Sequence, residues 1–216
     1  MLAINTAFMT ANLAIKTAKG QVVLNDIDAK SKHSENVLKT IDQMCQEANV
    51  NILDVKTVAV VVGPGSFTGL RIGTAIAKAL GAVNKDLKFI SISSLSLMAY
   101  IASKKNIVSD EFYCVLNALS DLYFVCKFSK DGNKLEEEKM ISREEYDKIN
   151  QKKVALVGDL KFDDLIEIEI SGQDLLDYAL LLENEKKFVK EQDLLPVYLR
   201  LSQAEDMLSK KTKKDW

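Results

Sequence analysis

The sequence predicts an α/β protein made of two related lobes, each with a mixed sheet flanked by helices. Two observations indicate this class. Three strand patterns are followed by alternating helix and strand patterns, and the same order returns in the second half of the chain. The chain also has 216 residues, of which 47% are hydrophobic, so it is long enough to bury two cores. We expect an N-terminal lobe over 1–104 and a smaller C-terminal lobe over 105–216.

The N-terminal half begins with an antiparallel meander of short strands. Alternation of apolar and polar residues predicts these strands at 2–5, 13–17 and 22–28. Helices and buried strands then alternate, because the apolar period becomes about 3.6 residues in some segments and gives way to β-branched runs in others. They are predicted as helix 34–48, strand 57–62, helix 68–85, strand 89–92 and a helix that begins at 93 or 94.

The C-terminal half repeats this order with weaker signals. Strand patterns lie at 112–117, 122–128 and 135–141. Later elements are predicted as strand 154–157, helix 175–188, strand 196–199 and an amphipathic helix or loose tail over 202–211. Because these later elements are short, we expect the second lobe to be the reduced one.

Composition excludes several classes of protein. The formal net charge is -2 with acids and bases mixed, which is unfavourable for binding RNA phosphates without a partner. Cys45, Cys114 and Cys126 form no C-x-x-C pair and have no histidine cluster nearby, so neither a structural metal nor a disulfide framework is predicted. No segment has the pattern of a signal peptide or a membrane span, and we therefore expect a cytoplasmic protein without a membrane partner.

The most informative segment is 58–73, which reads VAVVVGPGSFTGLRIG. A buried strand leads through a glycine-rich loop directly into a helix, and the free N–H groups at such a helix start can bind an anion. The loop is neither a Walker A motif nor a G-x-G-x-x-G fingerprint, so a structural turn and a phosphate contact both remain open. The candidate nucleotide-contact residues are Gly63, Gly65, Ser66, Thr68, Gly69 and Arg71.

The helix after this loop is more apolar than packing on one sheet requires. Gly69, Gly73, Ala77 and Gly81 form a ridge of small side chains, and the polar residues are confined to one narrow sector. Either neighbouring helices of the same lobe cover the surplus apolar surface, or a second chain does. In the second case the helices 34–48 and 68–85 dock the partner through Val37, Ile41, Met44, Cys45, Ile72, Ala75, Ile76 and Ala79.

Segment 63–73 resembles, almost letter for letter, the signature of the TsaB family, also called YeaZ. The resemblance extends to INTA at 4–7, His33-Ser34, Ser93-Ser94-Leu95 and PVYLR at 196–200, and so spans most of the chain. It implies a two-lobed actin, hexokinase and Hsp70-like (ribonuclease H-like) fold. It also implies a subunit that works with the catalytic TsaD and the ATPase TsaE. Together these proteins transfer a threonylcarbamoyl group to adenosine 37 of tRNAs that read codons beginning with A.

Departures from this family pattern argue against chemistry by the chain itself. Active members of the wider fold place an acidic residue at the end of the first strand of each lobe, where it holds hydrated Mg²⁺ or positions water. Asn5 and Asn117 occupy these places here, although the TsaB pattern usually has aspartate at both. Leu119 also stands where relatives commonly carry an arginine. We therefore predict no catalytic residue, no metal site and no intrinsic cofactor.

The sequence leaves three functions to be compared. The first is a scaffold that docks TsaD, with TsaE in the complex, ATP or ADP at the junction and tRNA contacted only indirectly. The second is an independent ATPase or small-molecule kinase of the same fold. The third is a homodimer formed through the same helices when the partner is missing. A protease is not expected, because the single histidine, His33, is not part of any nucleophile motif.

Overall fold

The N-terminal half of the chain forms a five-stranded mixed sheet. The computed structural model describes residues 1–28, 34–151, 155–158 and 165–198. The strands are β1 (Leu2–Asn5), β2 (Ala11–Lys16), β3 (Val22–Ile27), β4 (Thr57–Gly63) and β5 (Lys88–Ser93), in the order β3-β2-β1-β4-β5. Strand β1 lies at the centre, antiparallel to β2 and parallel to β4. All residues of β4 are buried, as expected for a strand that is covered on both faces.

The C-terminal half repeats this topology in a second five-stranded sheet. Its strands are β6 (Phe112–Leu119), β7 (Leu122–Phe128), β8 (Lys139–Ser142), β9 (Ala155–Gly158) and β10 (Ile166–Glu167), in the order β10-β9-β6-β7-β8. Like β1, the central strand β6 is antiparallel to the strand that follows it and parallel to its other neighbour. The repeated sequence pattern therefore corresponds to two sheets with the same strand order.

Two helices lie between the sheets, and the others cover the outer faces. The helices are α1 (Ser34–Glu47), α2 (Phe67–Val83), α3 (Ser94–Lys104), α4 (Arg143–Asn150) and α5 (Gly172–Asn184). Helix α3 contacts β4 and β5 of the first sheet and β6, β7 and β9 of the second, while α5 packs on β1, β2 and β3. These contacts form one core that is shared by both halves. Helices α1 and α2 cover the opposite face of the first sheet.

Most elements agree with the sequence-based ranges to within a few residues, and the differences have physical reasons. Helix α4 was not expected, because Tyr146 is its single buried residue and its apolar period is weak. A capping box formed by Ser142 and Glu145 sets its start. The strand expected at 135–141 begins at Lys139. Residues 196–198 form no regular strand.

Several sequence-based expectations lie outside the described residues. They concern His33, Val154, Leu199 with Arg200, and the tail over 202–211. Across the ranges that are described, no helix is both long and apolar enough to cross a membrane.

Two glycines allow α2 to lie close to the first sheet. A Cβ at Gly73 would lie 2.8 Å from Thr6 Oγ1 and 3.1 Å from Val60 Cγ2. A Cβ at Gly81 would lie 2.5 Å from Phe89 Cζ. These three distances to side chains of the same lobe leave no room for a larger residue at either position. The ridge of small residues therefore faces this chain's own sheet.

We expect Gly73→Ala to destabilise the protein, although alanine is the better helix former. At an exposed helix position the change would stabilise by about 1 kcal/mol. Here the added methyl group would overpack the contact with Thr6 and Val60, at a cost of about 1–3 kcal/mol. Urea titration gives the free energy of unfolding. The matched control is Ala79→Gly at an exposed position of the same helix, which should lose about 1 kcal/mol. A more stable Gly73→Ala variant would contradict the close packing of α2.

Candidate functional site

Asn5, at the end of β1, is fully buried and forms hydrogen bonds through both ends of its amide. Its Oδ1 accepts from the N–H of Ala7 (3.1 Å) and closes the turn after the strand. Its Nδ2 donates to Oδ1 of Asn12 (2.7 Å), which lies opposite in β2. A carboxylate at position 5 could accept the first bond but could not donate the second. The amide at this position therefore fits the surrounding structure.

Asn12 extends this network into the second half of the chain. Its Nδ2 donates to Asp26 Oδ1 and to the carbonyl oxygen of Ile170, both at 2.8 Å. The same Asp26 oxygen accepts from the N–H of Gly172 (3.1 Å), the first residue of α5. A carboxylate is favourable at the positive end of a helix. We call Asn5, Asn12, Asp26 and the start of α5 the amide joint. Sequence reasoning missed Asn12 and Asp26 because neither belongs to a motif.

Asn117 makes the same turn as Asn5 at an exposed position near the end of β6. Its Oδ1 accepts from the N–H of Leu119 (2.8 Å), again two residues further along the chain. The turn then passes through Leu119, Ser120 and Asp121, which have φ angles of 65°, 55° and 56°. Such left-handed conformations are uncommon for residues other than glycine. The two asparagines singled out from the sequence are thus equivalent turn-closing amides, one buried and one exposed.

The other candidate chemical groups have structural surroundings. Among the described residues, no group of three or more His, Cys, Asp or Glu side chains is placed to hold a metal ion. Burial raises the pKa of the Cys126 thiol to about 12 and raises the pKa of Cys114 well above its usual value. Burial, together with Asp42, also raises the pKa of Cys45. The thiolate is the nucleophilic form, so these cysteines act as packing residues at neutral pH.

The glycine loop packs against its own chain. Gly63 has a φ angle of 128°, and a Cβ there would lie 2.8 Å from the carbonyl oxygen of Val197. A Cβ at Gly65 would lie 2.7 Å from the carbonyl oxygen of Ala7. That same Ala7 oxygen accepts from the N–H of Ser66 (2.8 Å). A structural turn therefore explains both glycines without a ligand.

The start of α2 is partly engaged in internal hydrogen bonds. Ser66 caps the helix by accepting from the N–H of Gly69 (3.2 Å) through Oγ. The carbonyl oxygen of Gly69 accepts from Thr6 Oγ1 (2.6 Å). Two N–H groups that could face an anion, those of Ser66 and Gly69, are thus used within the chain. Thr68 and Arg71 are exposed, and the expected nucleotide contact stays a prediction that depends on these two residues.

Arg71 connects the start of α2 to the C-terminal segment. Its guanidinium lies 4.0 Å from the centroid of the Phe67 ring, and its Nε donates to the hydroxyl of Tyr198 (3.0 Å). The rings of Phe67 and Tyr198 are themselves 4.6 Å apart. Tyr198 belongs to the PVYLR segment that carries part of the family resemblance. Its described role is to hold the C-terminal segment against α2.

The helices expected to dock a partner are only partly available. Five of the eight expected side chains are buried: Val37, Ile41, Met44, Cys45 and Ile76. Their assignment to a partner surface is therefore corrected, because they form the core between α1, α2 and the first sheet. Ile72 is half-buried against the same core. Its own lobe covers most of the apolar stripe of α1, although Leu38 is 53% exposed.

What remains exposed is the outer face of α2. Ala75, Ala79 and Ala82 are exposed, and the side chain of Val83 is 67% exposed. Their spacing of three and four residues places them on one side of the helix. Arg71 precedes them by one turn on that side. We call Arg71, Ala75, Ala79, Ala82 and Val83 the outer face of α2.

Comparison with known proteins identifies the family. Residues 19–184 match the family model described as TsaD, tRNA N6-adenosine threonylcarbamoyltransferase. The chain is 29% identical over 124 residues to the tRNA threonylcarbamoyladenosine biosynthesis protein TsaB of Haemophilus influenzae, covering 57% of this chain and 52% of that protein. It is 29% identical over 133 residues to TsaB of Escherichia coli, covering 62% and 56%. The chain belongs to this family, in its TsaB branch. The chain spans about half the length of the curated TsaB relatives it matches.

Solved structures confirm the two-lobed fold for this TsaB-family chain. YeaZ from Pseudomonas aeruginosa superposes with a TM-score of 0.71 at 19% identity, covering 91% of this chain and 98% of that structure. An uncharacterized protein described as similar to peptidase YeaZ from the same organism gives a TM-score of 0.72 at 20% identity, with coverages of 92% and 98%. The fold expected from the sequence is thus confirmed.

We expect Asn5→Asp to destabilise this TsaB-family chain strongly, and Asn117→Asp to have little effect. A carboxyl buried at position 5 loses the bond to Asn12, and burial raises its pKa. At pH 7 the uncompensated buried charge should cost about 3 kcal/mol of unfolding free energy. At the exposed Asn117 the same change should stay within about 0.5 kcal/mol.

The pH dependence of the Asn5→Asp variant checks the cause. The folded-state pKa of the introduced carboxyl lies above its unfolded value of about 3.9, so the stability loss grows as pH rises through that range. Chemical denaturation at pH 4 and pH 7 should therefore show a smaller loss at pH 4. Equal losses at both pH values would mean that the amide joint does not bury the charge.

Proposed function

We propose that this TsaB-family chain is a non-catalytic subunit in the biosynthesis of threonylcarbamoyladenosine on tRNA. We propose that it acts by docking a TsaD-like catalytic subunit. The names of the curated relatives support the biosynthetic role, and the match to the TsaD family model supports a related system. The observation that carries the docking role is the outer face of α2, where Ala75, Ala79 and Ala82 are exposed side by side. Small side chains let a partner's helix approach closely.

The strand ends support a role without catalysis. Asn5 and Asn117 both use their side-chain oxygen to close a turn, and Asn5 also donates to Asn12. Neither amide carries the negative charge that attracts a hydrated Mg²⁺ ion. The chemistry would therefore be performed by the partner.

Because the α1 residues expected at the interface, Val37, Ile41, Met44 and Cys45, are buried in their own lobe, the proposed docking surface is narrower than the sequence indicated. A partner would contact the outer face of α2, and a second copy of this chain would pack α2 against α2 about a two-fold axis. The same face thus serves a homodimer when the partner is missing and the complex when it is present. The two assemblies exclude one another, since each covers the same alanines.

The remaining members of the proposed complex follow from the family role. A TsaE-like ATPase would join it, tRNA would be contacted only indirectly, and the modified position would be adenosine 37 of tRNAs that read codons beginning with A. ATP or ADP at the junction with the partner would meet Thr68 and Arg71, the exposed candidates at the start of α2. The proposed complex would form in the cytoplasm.

An independent ATPase or small-molecule kinase is the alternative function. A nucleotide site of this kind needs a cleft beside the strand ends that follow β1 and β4. A cavity of about 340 Å³ lies instead at the start of β4, where Thr57 and Glu183 line it. This cavity is away from those strand ends and does not favour the alternative over docking.

We expect Ala75→Arg and Ala79→Arg each to weaken association with a TsaD-like protein from the same cell. A long charged side chain on the outer face of α2 would prevent close helix contact, at a cost on the order of 2 kcal/mol of binding. Co-purification, with and without nucleotide, measures the effect. Both positions are exposed, so circular dichroism melting should not change.

The control for these variants is Ala18→Arg, at an exposed alanine in the turn between β2 and β3. It adds the same side chain away from α2 and should leave co-purification intact. Light scattering of the chain alone tests the homodimer with the same three variants. If association survives Ala75→Arg and Ala79→Arg in both experiments, α2 is not the docking surface.

We expect the isolated chain to hydrolyse no ATP in the presence of Mg²⁺. The reason is that neither strand end supplies a carboxylate to position the metal. Phosphate release measures turnover, and Asn117→Ala is the comparison because its position is exposed and should tolerate the change. Hydrolysis that occurs in the unmodified chain and disappears in Asn117→Ala would favour the ATPase alternative.

A further inference from the structure

The cavity at the start of β4 lies at the opposite end of that strand from the glycine loop. Its volume of about 340 Å³ is at the lower end of the range for sites that bind small molecules. Its walls come from the end of β2, from the segment that leads into β4 and from the end of α5. The apolar side chains in these walls are Met1, Ile15, Val50, Val55 and Leu180. The lining therefore suits a small molecule with an apolar body.

Charged groups of both signs line the same cavity. Lys16 and Glu183 are half-buried there, and Asp54 and Lys56 are exposed. Among the described residues, none of these four side chains forms an ion pair. The amino group of Met1 lies at the same wall and donates to the carbonyl oxygen of Lys16 (2.8 Å). A ligand that carries both a positive and a negative group could pair with both kinds of side chain at once.

Glu183 is held in a fixed position by the first sheet. The hydroxyl of Thr57, the first residue of β4, donates to Glu183 Oε1 (2.6 Å), and Thr57 is itself buried. The other carboxylate oxygen, Oε2, accepts no hydrogen bond from a described residue. An acceptor that is ordered before binding loses less conformational entropy when a ligand arrives. Glu183 can therefore bind a ligand's ammonium group through Oε2.

Lys16 supplies the complementary charge. It is the last residue of β2 and directly follows Ile15, which forms part of the apolar wall. The flexible stem of a lysine lets its ammonium group approach a carboxylate from several directions. An α-amino acid carries a carboxylate and an ammonium group on one carbon atom. Its side chain would then lie against the apolar wall.

We propose that this cavity binds a free α-amino acid with an apolar side chain. The ammonium group of the ligand donates to Glu183, and the carboxylate pairs with Lys16. The side chain packs on Ile15, Val55 and Leu180. This site lies apart from the outer face of α2, so it requires neither a docked partner nor a second copy of the chain.

The test measures binding of L-leucine and L-valine to the full chain by isothermal titration calorimetry. Two analogues of leucine each lack one charge: isocaproate has no ammonium group, and isoamylamine has no carboxylate. Because each charge pair is partly exposed, its loss should weaken binding about fivefold. Leucine should therefore bind more tightly than either analogue. The proposal is overturned if neither amino acid binds saturably, or if the analogues bind as tightly as leucine.

Two variants assign the charges to their side chains. Glu183→Gln keeps an acceptor for Thr57 but removes the negative charge, so it should weaken leucine binding about fivefold and leave isocaproate binding unchanged. Lys16→Met keeps the apolar stem and removes the positive charge, so it should weaken leucine binding by a similar factor and leave isoamylamine binding unchanged.

The matched controls make the same two changes at exposed positions of other helices. They are Lys39→Met on α1 and Glu144→Gln on α4, and both should bind leucine as the unmodified chain does. Circular dichroism melting checks that all four variants are folded. Leucine binding that is equally tight in Glu183→Gln, Lys16→Met and the unmodified chain would place the bound amino acid elsewhere, and would contradict the assignment of this cavity.

Discussion

The buried amide pair Asn5 and Asn12 is the interaction on which the arrangement of this molecule depends. Asn12 links the first sheet to Ile170 and, through Asp26, to the start of α5. Asn5 fixes the turn that contains Ala7, and the carbonyl oxygen of Ala7 accepts from the N–H of Ser66, the residue that caps α2. Each bond contributes about 1 kcal/mol, but an amide left unpaired in the core costs more. The amide joint thus positions both α5 and the start of α2.

Helix α2 is held in place from two directions, and this determines what it can do. Gly73 and Gly81 let its inner side approach the sheet, while Arg71 with Phe67 and Tyr198 clamps its first turn. Its alanines are consequently presented on a rigid element. A surface that is ordered before binding loses less conformational entropy when a partner docks. The small residues of α2 therefore allow close packing on its inner side and, in the docking proposed above, would allow close approach on its outer side.

The sequence predicts the fold better than it predicts the surface. The repeated order of strands and helices is visible because period and β-branching depend on neighbouring residues. By contrast, an apolar stripe on a helix does not show whether the same chain or another protein covers it. The burial of Val37 and Met44, on the inner side of α1, could therefore not be decided from the sequence. The positions of Asn5 and Asn117 were found from the family resemblance, but their bonds were not. Asp26 carried no local signal, because the N–H it binds lies 146 residues further along the chain.

The contacts of the amide joint bear on how the two halves are held together. Asn12 donates to the carbonyl oxygen of Ile170, Asp26 accepts from the N–H of Gly172, and a core that includes Ile90, Phe112 and Leu175 is shared by both sheets. Separating the halves would expose these apolar side chains and break the bond from Asn12 to Ile170, which is unfavourable on both counts. The two halves are thus held together by the chain's own contacts, and the docking proposed for the outer face of α2 would use a surface on an already ordered element.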